Sequence, residues 1–168
     1  WNKKGLTNQM PIATKSSKFN ISKKKNLEKI IVKVLNKIKT GDTLLLYGAI
    51  GIGKTTSARL FINNFQKKRK VNISEVTSPT FNIVNEYLVD DILISHYDLF
   101  RLRNKNECKS IGIAEDIDKK ITIVEWAEKI NQRPKNRLEL YYKYSKNFKS
   151  RSLIIKSFGR LKKYEFFK

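Results

Sequence analysis

At 168 residues, 40% of them apolar, the chain suits one domain with a buried core, and nothing in it marks a second. No apolar run approaches membrane-spanning length, the residues after Trp1 lack the apolar centre of a secretion signal, and a lone Cys108 excludes an internal disulfide, so a cytoplasmic location is expected. The formal charge of +21 is uneven: +10 over residues 1–39, zero over 40–128 and +11 over 129–168.

In chain order, residues 1–20 show no sustained period and are expected to form a flexible basic arm. From Ser22, a candidate N-cap, the stretch to Lys39 places Leu27, Ile30, Ile31, Val34, Leu35 and Ile38 on one helix face, and Thr40, Gly41 and Asp42 end it. Thr43–Tyr47 (TLLLY) is a short apolar run of the kind found in buried strands, and residues 54–65 return to helix spacing at Ala58, Leu60, Phe61, Ile62 and Phe65. Residues 67–70 are then expected as a solvated basic turn. Residues 81–89 and 92–97 predict two strands of a hairpin joined at Asp90 and Asp91. Residues 106–120 look irregular or helical, 121–124 predict a buried strand, 137–145 and 152–157 two more strands, and 160–168 a short terminal helix. The expected division is thus an arm (1–20), an α/β domain (21–157) and a basic tail (158–168).

Between the first strand and the second helix lies GAIGIGKT, residues 48–55, which fits the phosphate-cradling pattern GxxxxGK[ST] in the strand-to-helix context that pattern requires. Gly48, Gly51 and Gly53 let the backbone turn so that successive N–H groups face phosphate oxygens. Lys54 supplies a cation for the outer phosphates, the helix start adds its positive dipole end, and the Thr55 hydroxyl is placed for magnesium. The expected nucleotide contacts are therefore Gly48, Ala49, Ile50, Gly51, Ile52, Gly53, Lys54 and Thr55. A P-loop enzyme also needs a carboxylate at a neighbouring strand end. Two segments supply one: ITIVE ends at Glu125, and ILISHYD at Asp98.

The blocks GAIGIGKTT, SPTFNIVNEY, HYDLFRL, GIAED and IVEW, in that order over residues 24–130, resemble the TsaE (YjeE) family of small bacterial P-loop ATPases. That family is needed to make threonylcarbamoyladenosine beside the tRNA anticodon. The resemblance implies a single P-loop NTPase domain with a central mixed sheet flanked by helices, ATP and Mg2+ as cofactors, and TsaD- and TsaB-type proteins as partners. It also implies that Thr56 joins the nucleotide contacts, and that Ser78, Pro79 and Thr80 form a switch-like loop with Thr80 near the nucleotide. By the same resemblance Glu125, beside Trp126, binds magnesium or its water, and Asp98 supports the site. Lys54, Glu125 and Asp98 are then the expected catalytic set, and Thr55 and Glu125 the metal ligands. Ala49, Ile50 and Ala127 depart from residues common in the family, at permissive positions.

Other features stay open at this level. The basic flanks could hold an acidic partner, most simply RNA, or could reflect AT-rich coding, since 28 of the 36 basic residues are Lys. His96 beside Asp98 is expected to make a structural hydrogen bond. Trp126 could cover the nucleotide or a partner surface, or pack in the core, and Tyr141, Tyr142, Tyr144 and Phe148 are expected to pack on strand faces rather than stack on bases. Besides an ATPase, two other readings remain: a small-molecule kinase with Arg101 or Arg103 in a lid, and a non-enzymatic RNA-binding module.

Overall fold

The computed structural model describes residues 17–164. Its α/β architecture is one seven-stranded sheet in the order β1-β7-β6-β2-β5-β4-β3. The strands are β1 (Ser17–Asn20), β2 (Thr43–Tyr47), β3 (Val84–Val89), β4 (Ile92–Asp98), β5 (Ile121–Glu125), β6 (Arg137–Tyr144) and β7 (Arg151–Phe158). The four central strands β6-β2-β5-β4 run parallel, while β1 and β7 at one edge and β3 at the other run antiparallel to their neighbours. Both β2 and β5 are buried at every position. Their unbroken apolar runs follow from burial on both faces, as in other parallel sheets.

Helices α1 (Lys24–Leu35) and α2 (Lys54–Arg69) cover one face. Leu27, Ile30, Ile31, Val34 and Leu35 of α1 join Phe61, Ile62 and Phe65 of α2 over Leu44, Leu46, Leu140, Leu153 and Ile155. The second face is closed differently. The short α3 (Glu107–Ser110), turns on either side of it and a 3-10 turn at Ala127–Lys129 bring Leu99, Leu102, Cys108, Ile113 and Ile130 onto Leu45, Tyr47, Tyr97 and Val124. Among the described residues no helix is long and apolar enough to cross a membrane.

Several boundaries move from their expected places. Ser17–Asn20, expected as the end of an arm, pairs with β7 from Ser17↔Ile155 to Asn20↔Ser152, whereas the rest of that arm, residues 1–16, lies outside the described residues. Ser22 does not cap α1: its hydroxyl accepts the Arg151 N–H at 2.9 Å, and the cap position falls on Lys23. Residues 67–69 continue α2, placing three cations on its last turn where the dipole favours them, and Lys70 closes it in a left-handed conformation, φ 56°. Strand β3 starts at Val84 because the Ile83 N–H donates to Pro79 O and the Ile83 carbonyl accepts from Asp98 N, which folds residues 79–83 into a turn with Ile83 at φ 69°. Nor is the end of the described chain a free tail, since Gly159–Lys163 forms a 3-10 turn and buries Leu161 among the residues under α1 and α2.

Cys108 is buried, and its thiol donates to the Lys129 carbonyl at 3.0 Å. Burial pushes the thiol's pKa up, which lowers the share of reactive thiolate at neutral pH. Alkylation of the native protein should therefore be at least about tenfold slower than that of the denatured chain. Equal rates by mass spectrometry would show that this side of the core opens readily.

Candidate nucleotide site

Parallel pairing puts the carboxyl ends of β2, β5 and β4 side by side, the place where open α/β sheets bind ligands. The P-loop leaves the end of β2 and enters α2 at Gly53, whose φ of 124° suits glycine. Gly48 has a second constraint: a Cβ there would lie 3.0 Å from Tyr142 Cβ and Tyr142 O, so the loop passes flush over β6. Lys54 is 4% exposed, with Nζ donating to Gly48 O at 2.6 Å and Ala49 O at 2.9 Å and standing 3.9 Å from the centre of the Trp126 ring. Burial lowers its pKa, partly opposed by the carboxylates of Glu125, Glu128 and Asp98. The ammonium is thus held by the loop's own carbonyls and an aromatic face, on the side where the first N–H groups of α2 point outward.

Glu125 sits in register between Leu46 of β2 and Asp98 of β4. Its Oε2 accepts the Thr55 hydroxyl at 2.9 Å, and its Oε1 the His96 Nε2–H at 2.8 Å. His96 and Glu125 are both buried, and His96 Nδ1 has no hydrogen-bond partner among the described residues. Asp98 is engaged by the neighbouring loop: Oδ2 accepts the Ser78 and Thr80 hydroxyls at 2.9 and 2.8 Å, and Oδ1 the Phe100 N–H at 2.9 Å. Asp98 therefore fastens the residue 78–80 segment to the end of β4, whereas Glu125 faces the P-loop threonine.

These groups line one cavity of about 280 Å³. Of the expected site residues, Ile50, Gly51, Gly53, Lys54, Thr55, Thr56, Thr80, Asp98 and Glu125 line it, with Ser78, Phe100 and Trp126. Gly48 and Ala49 take part through the carbonyls that hold Lys54, and the Ile52 side chain is buried beneath the loop. Trp126, at φ 58°, forms the wall against Lys54 and meets Phe100 at 5.0 Å between ring centres. Arg151 escaped the sequence reading, and so did the partner of His96. The hydrogen bond of His96 was expected, but not that it would reach Glu125 across the sheet. Arg151 of β7 donates to Ile52 O and to Ser22 O, both at 3.3 Å, which ties the P-loop to the strand edge. No local pattern marks Arg151, since its contacts lie 99 and 129 positions away in the chain.

The donor set suits magnesium brought with a nucleotide. One hydroxyl and one carboxylate are hard oxygen ligands of the kind Mg2+ takes from proteins when phosphates and water supply the rest. Among the described residues there is no cluster of three or more His, Cys, Asp or Glu side chains of the sort that holds a metal alone.

A glycine-bounded loop from a buried parallel strand into a helix, with its lysine folded over the loop and its threonine on a carboxylate at the next strand's end, defines a P-loop domain. Residues 21–153 match the family described as "Threonylcarbamoyl adenosine biosynthesis protein TsaE", and the chain belongs to that family. It is 34% identical over 104 residues to the tRNA threonylcarbamoyladenosine biosynthesis protein TsaE of Rickettsia felis, covering 62% of this chain and 57% of that protein. It is 35% identical over 107 residues to the TsaE of Bacillus subtilis, covering 62% of this chain and 63% of that one. The matched part is thus a little over half of the Rickettsia relative. Among solved structures, YdiB of Bacillus subtilis superposes with a TM-score of 0.66 at 25% identity, over 86% of this chain and 87% of the other.

Proposed function

We propose that this chain binds ATP with Mg2+ and hydrolyses it in support of threonylcarbamoyladenosine modification of tRNA, in the cytoplasm and together with TsaB- and TsaD-type proteins. The observation that carries the nucleotide part is the convergence of Lys54, Thr55 and Glu125, with the Thr55 hydroxyl 2.9 Å from a carboxylate whose other oxygen is held by His96. The pathway rests on the family and on the names of the relatives.

In this reading, the loop N–H groups and the first turn of α2 bind the phosphates, and Lys54 leaves the Gly48 and Ala49 carbonyls to neutralise the outer ones. Thr55 and Glu125 would hold magnesium, whose chemistry is to offset the charge that builds on the outer phosphate oxygens. Glu125, kept in one rotamer by His96, orients water for attack. Asp98 holds Ser78 and Thr80 at the cavity edge, where partner contact could reorder them as switch segments do. The kinase reading gains nothing from the geometry, because Arg101 lies 5.4 Å from the Phe81 ring and neither it nor Arg103 lines the cavity.

The test is phosphate release by the purified protein, with and without TsaB- and TsaD-type proteins and tRNA, with Lys54→Ala as the blank. Wild-type release should exceed the blank by on the order of 10²-fold or more, as when a cationic or hydrogen-bonding stabiliser of transition-state charge is removed, and should rise with partners. Equal rates for wild type and variant in every mixture would remove the ATPase assignment.

A further inference from the structure

The two halves of the second sheet face differ. Over β2, β5 and β4 it is packed with apolar side chains, but that cluster contains no residue of β7 or β1. On those strands and β6, Phe19, Leu153, Ile155, Leu138, Leu140 and Tyr142 point to the α1 and α2 side. Strict alternation therefore turns Lys18, Ile154, Lys156, Tyr141 and Lys143 to the other. None of these five is fully buried. Register sets Lys18 opposite Ile154 and Ile154 opposite Tyr141, with Lys156 and Lys143 one step along in either direction. Strand spacing and rise thus put Lys18 about 8 Å from Lys156, and Lys143 roughly 12–14 Å from the other two.

Its charge is unbalanced. The one carboxylate on that face of these strands, Glu139, is buried and already bonded to Arg137 Nε at 2.8 Å and to the Tyr141 hydroxyl, with Arg133 at 3.6 Å. Lys18, Lys143 and Lys156 form no ion pair among the described residues, and Lys156, opposite Glu139 in the register, holds its Nζ 5.0 Å from the centre of the Tyr141 ring. Random lysine enrichment would scatter cations over every surface, whereas the stretch that builds the nucleotide site, residues 40–128, carries no net charge.

We propose that the open half of this face, formed by β6, β7 and β1, is an RNA-docking surface on which Lys18, Lys143 and Lys156 take phosphates of the backbone. The choice of RNA among polyanions rests on the proposed place in tRNA modification; the surface itself rests on the sheet. Being on the edge away from β4 and β3, it leaves the nucleotide cavity free.

The experiment is fluorescence anisotropy of labelled bulk tRNA with the full chain over a salt series. It compares wild type, a sheet variant (Lys18→Gln, Lys143→Gln, Lys156→Gln), a helix variant of equal charge (Lys24→Gln, Lys25→Gln, Lys29→Gln) and Lys54→Ala, each checked for folding by circular dichroism. The sheet variant should bind on the order of tenfold or more weakly, with a salt slope smaller by about two to three, while the helix variant keeps the wild-type affinity and slope. Lys54→Ala should bind tRNA as wild type does, so a failed ATPase assignment and a failed docking surface give different results. Equal weakening in both triple variants would mean diffuse attraction and overturn the proposal, as would no binding at all, or loss of binding in Lys54→Ala, which would move the RNA to the P-loop. Competition by polyglutamate as effective as by unlabelled tRNA would overturn it in favour of an acidic protein partner.

Discussion

Glu125→Gln is expected to leave nucleotide affinity nearly unchanged while lowering ATP turnover by about 10²-fold or more, the range typical of a removed acid–base or charge-stabilising group. The two shapes match, so packing in the buried site survives. What changes is charge and donor count. Both oxygens of Glu125 accept, one from Thr55 and one from His96. Glutamine keeps one acceptor and turns the other atom into a donor, which Thr55 can accept only by turning its hydroxyl and His96 only by moving its proton to Nδ1. The negative charge beside the Thr55 hydroxyl is lost as well. Single-turnover phosphate release together with titration of a fluorescent ATP analogue separates the two effects. Wild-type turnover in the variant would remove Glu125 from the chemistry, and loss of binding without Mg2+ would show that it shapes the loop instead.

The largest expected effect on stability lies outside the site. Arg160, in the 3-10 turn after β7, donates from Nε to Asp42 Oδ1 at 2.8 Å, and a second guanidinium nitrogen pairs with Oδ2. Asp42 is fully buried, immediately before β2, and also accepts the Lys39 N–H at 2.8 Å. Arg160→Ala strands that carboxylate without its cation, which should destabilise the fold by about 3–5 kcal/mol. For a domain of this size that corresponds to a loss in Tm of roughly 6–20 °C. The double variant Arg160→Ala, Asp42→Asn should recover part of the loss, because an amide needs no counter-charge. Denaturant unfolding of the three proteins checks this, and a single-variant loss below about 1 kcal/mol would place the pair with ordinary surface ion pairs.

Legibility followed the range of the interactions. The P-loop could be located from eight consecutive residues, because cradling a phosphate needs glycine torsions, a lysine and a helix start that are all adjacent in the chain. Helix α1 and strands β2 and β5 were equally open to reading, their burial being written as period and as unbroken apolar runs. Boundaries were harder. Ser22 has the chemistry of a cap, yet its hydroxyl serves Arg151, and residues 67–69 look like a polar turn but continue α2 with their cations at its negative end. Ser17–Asn20 is too short and too polar to announce a strand, and only the unpaired edge of β7 makes it one.

The phosphate loop between a buried strand and a helix, the strand ends at Glu125 and Asp98, and the charge gathered at the two flanks can all be read from the chain without its fold. Each of these is set by residues close together in the chain. The fold is what turns Glu125 to Thr55 and Asp98 to Ser78 and Thr80, brings His96 and Arg151 to the site from other strands, and closes Arg160 on Asp42. It also brings lysines of the two flanks, Lys18 from one and Lys143 and Lys156 from the other, onto one face. Those relations depend on strand order and register, which join residues tens to more than a hundred positions apart through packing that no local pattern encodes.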